Sequence, residues 1–107
     1  MSEDRQLKVM RVLENNPEMT QRELASTLGI SLGAVNFCLK ALVDKGWIKI
    51  DNFKNNPKKL GYLYLMTPKG AVAKTKLSMN FLKRKLIEYD NVKSEIETLE
   101  KELPREL

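Results

Sequence analysis

Asn36 and Lys40 stand four residues apart in the stretch SLGAVNFCLKALVDKGWIKI, Ser31 to Ile50. On a helix they share one side with Gly33 and Phe37, while Val35, Cys38, Leu39 and Leu42 fill the other. A carboxamide can bond base edges, adenine most naturally, directly or through water. A lysine one turn further on reaches phosphate or guanine. Gly33 lets the backbone come close to a duplex. Ser31 and Thr20, each opening a helix, can bond phosphate oxygens together with the free backbone amides there. Gln21 and Arg22, in the turn after Thr20, join them as candidate contacts, as do Lys54, Lys58 and Lys59 downstream.

Composition narrows the chemistry further. The chain has 107 residues, enough for one domain with a modest core. At 42% hydrophobic and 31% charged it reads as globular. Histidine is absent and cysteine occurs once. The commonest general base, an internal disulfide and a CxxC metal pair are therefore all missing. There is no GxxxxGK[ST] or GxGxxG loop to cradle phosphates. An enzyme, a metal and a cofactor are not expected. Nor is a membrane: no apolar run approaches the roughly 18 residues of a span, and no charged-then-apolar leader opens the chain, so a cytoplasmic location is expected.

The net charge of +5 is unevenly placed. Residues 51–76 alone carry +5 and 21–50 carry +2, against −1 for 1–20, +1 for 77–90 and −2 for 91–107. Concentrated positive charge is the electrostatic footprint of a nucleic-acid surface. The plain alternative is a solubilising face, with Lys54, Lys58 and Lys59 as solvated loop residues.

These side chains need elements to position them. Leu7, Met10 and Leu13 predict an amphipathic helix near 3–15, ended by Asn15-Asn16-Pro17. Thr20-Gln21-Arg22-Glu23 reads as a capping box, with Met19 and Leu24 as its hydrophobic staple. A short second helix puts Leu24, Ala25 and Leu28 inward and stops at Gly29. Ser31 then caps a third helix that ends at Gly46. Two helices joined by so tight a glycine turn form a helix-turn-helix, with residues 31–45 as its recognition helix. Trp47–Phe53 and Leu60–Met66, separated by Asn55-Asn56-Pro57, predict a hairpin, the wing.

Thr67-Pro68 opens the last element as cap and first helical residue. Gly70 in its first turn permits close approach to the wing strand. Continued to Pro104 the helix is about 54 Å long, more than so small a domain can cover. Met79 precedes a stripe of Leu82, Leu86, Tyr89, Val92, Ile96, Leu99 and Leu103, stepping by threes and fours with one irregular step around Tyr89. That seam predicts dimerisation, and a dimer predicts a palindromic operator. Lys93, Glu95, Glu97, Glu100, Lys101 and Glu102 flank it with mixed signs, leaving parallel and antiparallel pairing both open. The alternative is a helix folded back on its own domain. The expected fold is thus mainly α with a small β-hairpin: a winged helix-turn-helix over 1–67 and a long dimerisation helix over 68–107.

Two residues admit two readings. Phe37 can touch thymine methyls or pack on the wing or a neighbouring helix, and packing is the expectation. Cys38 could sense oxidants, but its inward position marks it as a core residue.

The segments QRELASTLGIS, LKALVDKGWI and LMTPKG, within Thr20–Gly70, resemble the winged helix of MarR-type bacterial transcriptional regulators. The longer run SLGAVNFCLKALVDKGWIKIDNFKNNPKKLGYLYLMTPKG resembles one branch of them, the regulators associated with exopolysaccharide gene clusters. Those short proteins also end in a basic helix similar to Leu82-Lys83-Arg84-Lys85. The resemblance implies a dimeric regulator of surface-polysaccharide genes that binds double-stranded DNA. There are departures. Many MarR wings carry an Asp-x-Arg whose arginine enters the minor groove; here the region reads Asn-Phe-Lys-Asn-Asn-Pro-Lys-Lys, and lysine is the weaker substitute. The additional helices that build the usual ligand pocket are lacking, so small-molecule sensing is not carried over. A different functional class remains: a winged-helix protein-interaction module that docks a partner through its C-terminal helix.

Overall fold

Ser2 begins the first helix by accepting the Arg5 N–H on its side-chain oxygen at 3.1 Å. That helix, α1, spans Glu3–Asn15 and buries Gln6 and Val9 as well as Leu7, Met10 and Leu13. The computed structural model describes residues 2–52 and 62–105. The expectations for Phe53, Lys54, the Asn55-Asn56-Pro57 turn, Lys58, Lys59 and Leu60 lie outside the described residues.

Helix α2 covers Gln21–Leu28, and the Thr20 side chain accepts the Glu23 N–H at 3.1 Å. Gly29 follows in the left-handed region with φ of 66°, and the Ile30 N–H reaches the Ala25 carbonyl at 3.1 Å. This is a Schellman stop, in which a left-handed residue turns the chain and satisfies an otherwise orphaned carbonyl. One residue later Ser31 caps α3, Leu32–Asp44, accepting the Ala34 N–H at 3.1 Å. The same device closes α3: Gly46 has φ of 74° and the Trp47 N–H bonds the Leu42 carbonyl at 3.0 Å.

Strand β1, Ile48–Asn52, pairs antiparallel with β2, Tyr62–Met66, in the register Ile48 to Met66 through Asn52 to Tyr62. The hairpin is anchored at two points. The Tyr64 N–H donates to the Pro17 carbonyl at 3.0 Å, tying β2 to the α1–α2 turn. At the base, the Thr67 hydroxyl donates to the Gly46 carbonyl and accepts the Gly70 N–H at 3.0 Å. Thr67 thereby caps α4, which runs Pro68–Glu102. Gly70 is buried against Trp47, and a β-carbon there would stand 1.9 Å from the Trp47 carbonyl oxygen. No side chain larger than hydrogen fits without moving backbone.

The chain forms two compact units, Met1–Leu77 and Ser78–Leu107. In the first, Met10, Leu13, Leu24, Val35, Cys38 and Leu42 are buried to 2% exposure or less, with Leu39, Ile48, Tyr64 and Leu77 completing the core. Leu28 is only half-buried. Lys74 pairs with Glu14 at the surface. The second unit contains the distal part of α4, whose Leu82, Leu86, Tyr89, Val92, Ile96, Leu99 and Leu103 are 46–63% exposed. No single helix among the described residues is long and apolar enough to cross a membrane. The architecture is a winged helix-turn-helix, mainly helical, with a two-stranded wing and a long C-terminal helix.

Candidate nucleic-acid interface

The two sides of α3 are cleanly separated. Val35, Cys38, Leu39 and Leu42 are buried, and Gly33, Asn36, Phe37 and Lys40 are all exposed. Helical spacing produces the split, and packing on α1 and α2 completes it. Phe37 corrects the packing expectation: it is 67% exposed, on the same side as Asn36 and Lys40.

Gly33 sits in the first turn of α3 with open space around it. A β-carbon there would meet only the Ser31 side-chain oxygen, at 4.0 Å. The fold therefore does not demand glycine at this position, in contrast to Gly70. What glycine adds at Gly33 is a bare stretch of backbone at the N-terminus of an exposed helix.

Ser31 and Thr20 use their hydroxyl oxygens to accept cap N–H groups. Each retains an O–H proton to donate, and the remaining first-turn amides carry the partial positive charge of a helix N-terminus. Arg22 is exposed in the first turn of α2. Gln21 is different. It is half-buried, and its side-chain nitrogen donates to the Tyr64 hydroxyl at 3.2 Å, bridging α2 to the wing. Gln21, Asn36 and Lys40 meet around a concavity of about 240 Å³ between α2, α3 and the hairpin, floored by Leu39, Val43, Ile50 and Tyr64. Three of the ten candidate DNA contacts thus share one place, while Thr20, Arg22, Ser31 and Gly33 lie at the two helix N-termini. Lys54, Lys58 and Lys59 fall outside the described residues.

The sequence pattern did not single out Tyr64 and Ile50 as neighbours of this face. Tyr64 alternates correctly for an inward strand residue, but its link to Gln21 spans 43 positions and leaves no local signal. Lys45 lies 4.6 Å over the Trp47 ring, which holds that charge at the α3–β1 corner. Burial pushes the Cys38 thiol above its ordinary value, against the opposing pull of the Arg5 and Lys45 charges. A buried, protonated thiol is a packing group, not a nucleophile. Among the described residues no cluster of histidine, cysteine or carboxylates could hold a metal ion.

Comparison with known proteins agrees with this geometry. Residues 2–49 match the winged helix-turn-helix DNA-binding family model. The HTH-type transcriptional regulator Ptr1 of Methanocaldococcus jannaschii is 41% identical over 56 residues, covering 52% of this chain and 38% of the relative. The chain thus spans less than half the length of the curated relatives it matches. Among solved structures, a cysteine-to-serine mutant of MarR from E. coli is 30% identical, with 94% of this chain and 76% of that chain covered and a TM-score of 0.61. The same mutant solved in complex with operator DNA is 29% identical, covering 94% and 74%, again with a TM-score of 0.61. With this fold, and with that identity sustained along nearly its whole length, the chain belongs to the MarR family of winged helix-turn-helix proteins.

Proposed function

We propose that the protein is a sequence-specific double-stranded DNA-binding transcriptional regulator that reads its operator with residues 31–45. One observation carries the reading. The outer row of α3 is exposed and chemically suited to bases and phosphates, while its inner row is fully packed. Asn36 reads base edges, Phe37 offers an apolar surface to thymine methyls, and Lys40 and Arg22 bond phosphate or guanine. Thr20, Ser31 and the amides behind them clamp phosphate oxygens, and Gly33 allows the helix terminus to sit close. Gln21 contacts the DNA backbone from its bridge to Tyr64. Lys54, Lys58 and Lys59 of the wing supply sequence-independent affinity. A MarR relative crystallised with operator DNA supports this assignment.

The regulator acts as a cytoplasmic homodimer, with 1–67 as its DNA-binding part and 68–107 as its dimerisation helix. Two copies present two recognition helices, so the operator is a palindrome with half-sites near one helical turn apart if both lie on one DNA face. Its targets are surface-polysaccharide genes, as the resemblance of the 31–70 run implies. The competing reading, a protein-interaction module working through the C-terminal helix, draws support from the exposed apolar stripe alone.

Selection of bound duplexes from a random-sequence pool tests the proposal. Enrichment of a palindromic motif is the expected outcome. A pool that stays random after repeated rounds, with salt-sensitive binding to every duplex alike, would remove sequence-specific regulation. Genome-wide occupancy in the native organism then tests the polysaccharide link.

A further inference from the structure

Tyr64 ties the wing to the helix-turn-helix twice. Its backbone N–H donates to the Pro17 carbonyl at 3.0 Å, and its hydroxyl accepts a side-chain N–H of Gln21 at 3.2 Å. Pro17 and Gln21 bracket the turn into α2, with the capping Thr20 between them. One strand residue thus holds both ends of the turn that aims the α2 N-terminus. Tyr64 is 5% exposed and stands opposite Ile50 in the hairpin register, whereas Tyr62 is 54% exposed. A buried tyrosine needs a polar partner for its hydroxyl, and Gln21 supplies it.

The contact constrains Gln21 more than Tyr64. Gln21 is half-buried at the first position of α2, and a side chain of its length samples many rotamers when nothing holds it. Immobilising such a side chain at the moment of binding weakens affinity by roughly two- to tenfold. The Tyr64 hydroxyl does part of that immobilising beforehand. It takes up one carboxamide N–H, and the second has no partner among the described residues. An amide N–H at a helix N-terminus suits a phosphate oxygen, which can only accept. Gln21 and Tyr64 also line the concavity that holds Asn36 and Lys40, so this carboxamide stands beside the recognition helix.

We infer that Tyr64 is a positioning residue of the DNA interface: through its hydroxyl it presets the Gln21 carboxamide to bond an operator phosphate. The inference rests on the DNA-binding reading above. It adds to that reading a buried wing residue that acts on DNA through another side chain.

Equilibrium binding of the full-length protein to the duplex selected from the random-sequence pool tests it, through a double-mutant cycle of Tyr64→Phe and Gln21→Ala. Tyr64→Phe keeps the ring and removes only the hydroxyl. It is expected to weaken binding roughly two- to tenfold and to leave the log–log salt slope unchanged, since no charge moves. Gln21→Ala is expected to weaken binding about tenfold, through loss of a hydrogen bond to a charged group. Adding Tyr64→Phe to Gln21→Ala is expected to weaken it no further. A tyrosine that only supports the fold would not show that dependence on Gln21. A Tyr64→Phe loss that persists in the Gln21→Ala background therefore overturns the inference and leaves Tyr64 as a packing residue. A lower salt slope in Tyr64→Phe overturns it too, because the wing lysines would then have shifted. Wild-type affinity in Tyr64→Phe removes the role of Tyr64 while the DNA-binding reading stands. If wild-type protein selects no duplex from the pool, that reading fails and this inference falls with it.

Discussion

Helix α3 and the distal half of α4 carry the same apolar periodicity with opposite outcomes. In α3 the stripe of Val35, Cys38, Leu39 and Leu42 is 0–2% exposed, whereas the α4 stripe from Leu82 to Leu103 is 46–63% exposed. The difference is not in the residues, since leucines serve both. It lies in what the chain can bring to each face. α3 is followed by a sharp glycine turn and a hairpin, and preceded by two helices, so local connections deliver its cover. No described element covers the apolar stripe of distal α4. The same signal therefore marks a packed core face in one helix and an exposed face in the other.

The sharpest way to break this comparison is to truncate one leucine in each helix. Leu42→Ala is expected to destabilise the fold by about 2–5 kcal/mol in denaturant unfolding, the usual cost of a cavity in a packed core. Leu86→Ala is expected to leave monomer unfolding almost unchanged and to weaken self-association instead. If both variants lower unfolding stability equally at concentrations where the protein is monomeric, the α4 stripe is a core face after all.

The outer side of α3 gives the next effect. Asn36→Ala is expected to lose about 1–3 kcal/mol of discrimination between cognate and scrambled DNA at fixed salt, while retaining most non-specific binding. Equal loss on both duplexes would reduce Asn36 to a phosphate contact. Wing charge is separable from base reading in the same assay. Lys58→Ala with Lys59→Ala is expected to weaken binding to every sequence and to lower the log–log salt slope by roughly two per wing. An unchanged slope would place both lysines away from the DNA backbone.

The smallest effect contrasts two glycines. At Gly33 a methyl group meets open space, so Gly33→Ala is expected to raise stability by up to about 1 kcal/mol through helix propensity while weakening DNA binding. At Gly70 the same methyl meets the Trp47 carbonyl, and Gly70→Ala is expected to destabilise. Gly33→Ala that binds DNA as tightly as wild type would show that the α3 terminus keeps its distance from the duplex.

How far the chain can be read without its structure follows from the range of each interaction. The caps at Thr20 and Ser31 and the stop at Gly29 involve partners within five residues, and each could be read directly from residue types. The division of α3 into inner and outer rows needed only the period of 3.6, so Asn36 and Lys40 were legible as candidates. The exposure of Phe37 was not, since the apolar content of a side chain does not say whether a neighbour arrives to cover it. Nor was the turning of Gln21 onto Tyr64, or the anchoring of β2 by the Pro17 carbonyl. Local chemistry within a few residues of chain determined the helices, their ends and their faces. Contacts between residues 40 or more positions apart, which depend on how those elements pack in space, decided which faces were covered and which side chains meet around the recognition helix.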